Sequence, residues 1–323
     1  MKPELLVALY AALTFFASLA GGWIPVLARL THAGTQLMMS VVAGLMLGVG
    51  VFHMLPHAVY ALPQSTDGTL DLDRAVWWTM VGLLATFFLQ RFFHFHQHEL
   101  PEPDEHGHHD ADCSHHHEAG HAHDHGHAGH QHGPEEKATL GWLGITLGLV
   151  LHTLMDGVAL AAAVESEART HGEAASLAGV GVFLAIFLHK PLDAMAVSAM
   201  MLRDGWSSRN RLLVNALFAL ICPLGAGLFY LTVDGLGTGQ SAFVGCALAF
   251  SAGAFLCISL SDLLPEIQFH SHDRGKLSLA LLLGVALAYS IGFLEESGHS
   301  HQPTREIQRE KGTDSSGSGG VEP

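Results

Sequence analysis

Eight stretches of this chain are too long and too apolar to face water. They run over about 4–28, 37–62, 75–93, 139–164, 174–201, 211–233, 241–266 and 276–294. A bilayer core about 30 Å thick is crossed by roughly 20 helical residues. A backbone inside it must satisfy its own hydrogen bonds. The expected class is therefore all-α: a polytopic membrane protein with eight transmembrane helices and the lipid bilayer as its first partner. Composition agrees, since only 14% of the 323 residues are charged, against about 25% in soluble chains. The first stretch carries only Lys2 against Glu4 and outruns an ordinary signal core, so it reads as a span. The transmembrane domain is expected over 4–294, with a polar tail over 295–323.

The ionisable residues within these spans are few and regularly placed. Span two holds His53 and His57, and span four holds His152 and Asp156. Span five holds His189 and Asp193 with Lys190 between them, and span seven holds Asp262 and Glu266. Each pair is spaced i, i+4, one helical turn apart on one face, so its two side chains aim at one point. A charge at the bilayer centre costs at least about 2.5–3.5 kcal/mol. A divalent cation is the partner that offsets several such groups together. Interhelical hydrogen bonds are the competing reading. Pro56, Pro191 and Pro265 sit within or beside three of the pairs, and a helix-interior proline frees a carbonyl that neighbours must satisfy.

Residues 94–132 contain fifteen histidines and no apolar periodicity. This segment, within a loop over 94–138, is expected to be disordered when unliganded and to bind borderline metals such as Zn²⁺. The densest candidates are His106, His108, His109, His115, His116, His117, His121, His123, His125, His127, His130 and His132. Lys and Arg concentrate in the loops on this side, which makes it the cytoplasmic side and puts both termini outside. Depth then orders the pairs: His53 and His57 towards the outside, His152, Asp156, His189 and Asp193 central, Asp262 and Glu266 towards the inside. Four cysteines show no CxxC spacing and read as small core residues. No basic surface suggests nucleic acid.

An internal echo is visible. FHMLPHA (52–58) and SDLLPEI (261–267) share one frame, in the second and seventh of eight spans. The placement predicts an inverted 3+2+3 repeat, an arrangement found in transporters with midplane binding sites.

HTLMDG (152–157) and HKPLD (189–193), with the two motifs above and the His-rich loop between spans three and four, resemble the ZIP (Zrt/Irt-like protein) family of divalent metal-ion transporters. The resemblance covers about 4–294. It implies a transporter rather than an enzyme. It also implies a central metal site at His152, Asp156, His189 and Asp193, and an elevator-like motion of a transport bundle. The expected cargo is Zn²⁺, with Cd²⁺, Fe²⁺ or Mn²⁺ as further substrates, moved into the cytoplasm across a plasma membrane or a bacterial inner membrane. Members are often homodimers.

Two positions depart from the family's pattern. Thr153 stands where members often have Asn, and Lys190 where they often have Glu, Asp or Asn; both positions help form a second metal site in binuclear members. One central ion is therefore expected here. Beside a divalent ion at about 4–6 Å, an ammonium costs several kcal/mol. Lys190 must therefore give up its proton, snorkel to the interface, or take the second metal's place as a tethered cation. Two readings compete with metal uptake. An intramembrane metal-dependent hydrolase would use the same ligands but needs no chain of pairs across the membrane. A cation diffusion facilitator would carry a larger cytoplasmic C-terminal domain than 295–323 provides.

Overall fold

The structure is a computed structural model, and it describes residues 2–24, 32–63, 69–93, 136–171, 177–263 and 274–297. Among these residues there is no strand. Eight helices are long and apolar enough to cross a membrane: Pro3–Gly21, Ala33–Ala61, Leu72–Phe92, Thr146–Thr170, Val180–Arg203, Ser208–Gly235, Gly237–Ser261 and Arg274–Gly292. They are spans one to eight, and one overlaps each of the eight apolar stretches. Glu266, the twelve candidate histidines of the loop and the tail beyond 297 lie outside the described residues. Asp262 is placed by its backbone alone.

Spans two, four, five and seven are the inner helices, while spans three and eight lie at the periphery. The inner four are those that carry the ionisable pairs. Span two packs along span eight and span three along span seven; span four packs along span six and span one along span five. Large apolar side chains such as Phe16, Trp77, Phe88, Leu231 and Leu279 face outward, as lipid requires of a spanning helix.

Two inner helices widen. Span two passes through a π-helical turn at Gly50–Met54, and span seven through another at Ser259–Leu263. Each ends two residues before the proline of its motif, Pro56 or Pro265. At the first, the Leu55 N–H reaches back to the carbonyl of Gly50. A proline lacks a donor and crowds the carbonyl four residues earlier, and a wider turn accommodates both effects. Span six breaks at Leu220 between helices Ser208–Ala219 and Ile221–Gly235, where Pro223 removes the donor that Ala219 would have used.

Span four extends further than its apolar run. Its helix continues to His171, so Glu165 and Glu167, beyond the apolar stretch, sit on its last turns. Arg169 donates to Glu165 at 2.7 Å one turn away, an i, i+4 pair that supports a helix beyond its apolar stretch.

The contact between spans four and six is set by two glycines. A Cβ on Gly157 would lie 2.1 Å from the carbonyl oxygen of Cys222, and one on Gly225 would lie 2.2 Å from that of Leu154. Small residues let membrane helices approach this closely. Gly225→Val should therefore separate the spans and cost about 1–3 kcal/mol or more as overpacking. Gly227→Val, where a Cβ meets nothing within 4 Å, is the control. Thermal unfolding of detergent-purified protein checks this: the midpoint should fall for Gly225→Val and hold for Gly227→Val.

Candidate metal centre

Span four brings His152 and Asp156 to one face, and span five does the same for His189 and Asp193. Because the two helices pack together, the pairs meet. One ligand atom from each of the four residues lies within 4.8 Å of the others. The helix of span five runs unbroken through Pro191. Span one closes against this point, where a Cβ on Gly21 would meet the Pro191 carbonyl at 2.3 Å.

The imidazole orientations follow from their hydrogen bonds. Nδ1 of His189 lies 2.7 Å from the Ala185 carbonyl. A carbonyl only accepts, so Nδ1 carries the proton and Nε2 offers its lone pair to the cluster. Fixing a ligand's tautomer through its other nitrogen is how outer partners prepare a metal-binding histidine. His189 Nε2 lies 3.3 Å and His152 Nε2 3.6 Å from Asp156 Oδ2. The same two nitrogens lie 3.9 and 3.8 Å from Asp193 Oδ2.

Lys190 enters the middle of this group. Its ammonium donates to Asp156 Oδ2 at 2.5 Å, to Thr153 Oγ1 at 2.9 Å and to Asp193 Oδ2 at 3.1 Å. An ammonium has three donors, and all three are used. The side chain is fully buried, with Phe218 of span six beneath it at 5.7 Å from the ring centroid. The Lys190 side chain does not snorkel. Asp156 is correspondingly lopsided: Oδ2 takes every contact, while buried Oδ1 has no hydrogen-bond partner.

Exposure of the cluster is one-sided. The side chains of His152 and Asp193 are each 11% exposed, against 1% for Asp156 and 5% for His189. Spans four and five run in opposite directions, so His152 and Asp193 are the two residues nearer the end bearing the 94–135 segment. The two more exposed ligands are thus the two nearer that end. Beyond it, Phe255 of span seven sets its ring edge-on to His189 at 6.4 Å.

The remaining candidates are placed differently. His53 is buried and donates from Nε2 to the Ala288 carbonyl of span eight at 2.7 Å. His57 pairs with Glu167 at 3.3 Å. Neither joins the cluster of four. Cys222 and Cys257 are buried and Cys246 is half-buried, and none of the three is in a disulfide among the described residues. Sequence reasoning missed Thr153 as a partner of Lys190, and Glu167 as a partner of His57. The signal for Glu167 was its spacing: eleven residues after Asp156, it falls on the same helical face about three turns on.

Residues 5–292 match the family model described as ZIP Zinc transporter. The chain belongs to this family. Among relatives of ZIP type, it is 33% identical to Zinc transporter ZIP5 of Mus musculus over 178 residues, covering 52% of this chain and 30% of that protein. It is 29% identical to Zinc transporter ZIP9-B of Xenopus laevis over 187 residues, covering 53% and 59%. It is 30% identical to Zinc transporter ZIP9 of Micropogonias undulatus over 193 residues, covering 53% and 58%. The matched region thus spans under two thirds of each relative's length. Family and spans together make this ZIP protein an integral, multi-pass membrane protein.

Breaking a buried ion pair by removing one partner costs about 3–5 kcal/mol. Lys190→Met leaves Asp156 and Asp193 without their ammonium. The thermal midpoint of the purified variant in chelator should fall well below wild type; an unchanged midpoint would mean that the ammonium does not hold the two carboxylates together.

Proposed function

We propose that this ZIP protein carries divalent metal cations across the membrane, Zn²⁺ foremost, with Cd²⁺, Fe²⁺ and Mn²⁺ as further substrates. The observation that carries this reading is the convergence of four ligand atoms within 4.8 Å, on two buried spans. Two imidazoles and two carboxylates suit Zn²⁺ and tolerate its neighbours. The names of the relatives point the same way. No comparable support exists for the hydrolase, since the family is one of transporters.

Direction and mechanism are part of the proposal. The termini lie outside, the His-rich loop is cytoplasmic and gathers metal there, and cargo moves inward. The greater exposure of His152 and Asp193, the two ligands nearer the cytoplasmic end, supports a carrier open on that side. The matched π-helical turns before Pro56 and Pro265 support an inverted 3+2+3 repeat. His53 and His57 on one side, with Asp262 and Glu266 on the other, are the approaches to the centre. A homodimer in a plasma membrane, or a bacterial inner membrane, completes the reading.

Lys190 is the tethered cation of this proposal. Two carboxylates against one ammonium leave one negative charge for the cargo, and the ammonium stands where a second metal would bind. The centre therefore holds one ion.

Purified protein in liposomes should accumulate Zn²⁺ down its gradient. Replacing both Asp156 and Asp193 by Ala should lower uptake more than tenfold while membrane insertion persists; wild-type flux in that double variant would sink the site assignment.

Equilibrium metal counting addresses Lys190 separately. Wild type should bind one central ion and Lys190→Glu should approach two. An unchanged count in folded variant protein would overturn the tethered-cation reading.

A further inference from the structure

A second imidazole and carboxylate face each other away from the central cluster. His57, near the end of span two, points Nδ1 at Oε1 of Glu167, on the last turns of span four, at 3.3 Å. Both spans finish at the end of the molecule opposite the 94–135 segment. The Glu167 side chain is 7% exposed and that of His57 26%. One partner is thus sealed in, and the other reaches the surface.

Glu167 is fixed in place. Its Oε2 accepts the Gly179 N–H at 2.9 Å, just before span five begins. Gly179 has φ 70°, and a Cβ there would lie 2.6 Å from Val164 Cγ2, so this left-handed residue is pressed against span four. Ser166 donates to the carbonyl of His57 at 3.3 Å, tying span two to the same turn. The nearby cation is committed elsewhere: Arg169 binds Glu165 at 2.7 Å and Gln240 at 3.1 Å. Among the described residues, His57 is the only side chain that forms an ion pair with Glu167. His53, whose ring lies 6.5 Å from that of His57, spends its Nε2 on the Ala288 carbonyl.

The separation of the pair indicates what it can bind. A charge-assisted N–H···O⁻ bond closes to about 2.7–2.9 Å, and this contact is longer. Two ligand atoms sharing a tetrahedral zinc, with bonds of about 2.0–2.2 Å, lie roughly 3.3–3.5 Å apart. We propose that His57 and Glu167 form a second divalent-metal site, at the mouth opposite the His-rich segment, with water completing the ion's shell. Two protein ligands bind less firmly than the central four. That suits a capture site, which must hold an ion long enough to admit it and then release it. Because Glu167 needs only Oε1 for the ion, Oε2 keeps its bond to Gly179, and the start of span five stays anchored while metal is held.

The role in capture rests on the transport reading; the binding site itself does not. Glu167→Gln keeps an acceptor for Gly179 and removes the charged ligand. His57→Cys, at a partly exposed position, replaces a borderline ligand by a soft thiolate that favours Cd²⁺. In proteoliposomes, Glu167→Gln should raise the KM for Zn²⁺ at least fivefold, with a much smaller change in maximal rate. His57→Cys should raise the ratio of Cd²⁺ to Zn²⁺ uptake at limiting ion at least fivefold. Without any flux, purified His57→Cys titrated with Cd²⁺ should show thiolate–cadmium absorbance above the wild-type background, and adding Glu167→Gln should weaken that binding at least fivefold. Wild-type KM in Glu167→Gln, or no added absorbance in folded His57→Cys, would overturn the site. Wild-type vesicles that accumulate no metal would overturn the transport reading alone, because the absorbance titration reads the pair directly.

Discussion

The ammonium of Lys190, lodged between Asp156 and Asp193, is the contact on which the interior of this protein depends. Two carboxylates in an apolar bundle repel each other and have lost their water, and neither effect is tolerable without a partner. Lys190 answers both with a single group, at 2.5 and 3.1 Å, and its third donor goes to Thr153. Spans four and five are thereby joined by charge, beside the His189–Asp156 and His152–Asp193 contacts that cross the same helix pair. The glycine contact between spans four and six works with it. By drawing span six close, it accompanies the placement of Phe218 beneath the ammonium, so that the charge faces an aromatic ring where it has no carboxylate.

Much of this was legible in the amino-acid sequence because lipid removes alternatives. A run of apolar residues that length has one stable conformation in a bilayer, so the spans could be read directly. The inner helices were legible too: His53, His152, His189 and Asp262 each begin an i, i+4 pair, and a span bearing such a pair has to turn it away from lipid. The central four came together because spacing along two helices is enough to define two faces, and packing has only to bring those faces into register.

What was not legible depended on atoms rather than on faces. Spacing made His53 a pathway candidate, but it could not foresee that Nε2 would meet a carbonyl of span eight. Hydropathy ended span four near residue 164, yet ion pairing and the grip of Glu167 on Gly179 carry the helix past the apolar run. Thr153 looked like a departure from a pattern; its hydroxyl proves to be one of three anchors for a neighbouring helix's charge. The π-helical turns were hinted at by two prolines in matching positions, but a proline in a helix is equally compatible with a plain kink.

The uneven use of Asp156 has a consequence for how substitutions there are to be understood. Its two oxygens stand differently: Oδ2 holds the helices together through Lys190, whereas Oδ1 is buried and without a hydrogen-bond partner. An isosteric asparagine, turned so that its oxygen faces Lys190, keeps the hydrogen bond but not the charge that pairs with the ammonium. Its amide nitrogen then stands at the position of Oδ1, a donor where a cation needs an acceptor. The hydrogen-bonding and charge-bearing roles of this carboxylate are therefore separable within a single side chain, by a substitution that leaves its outline unchanged.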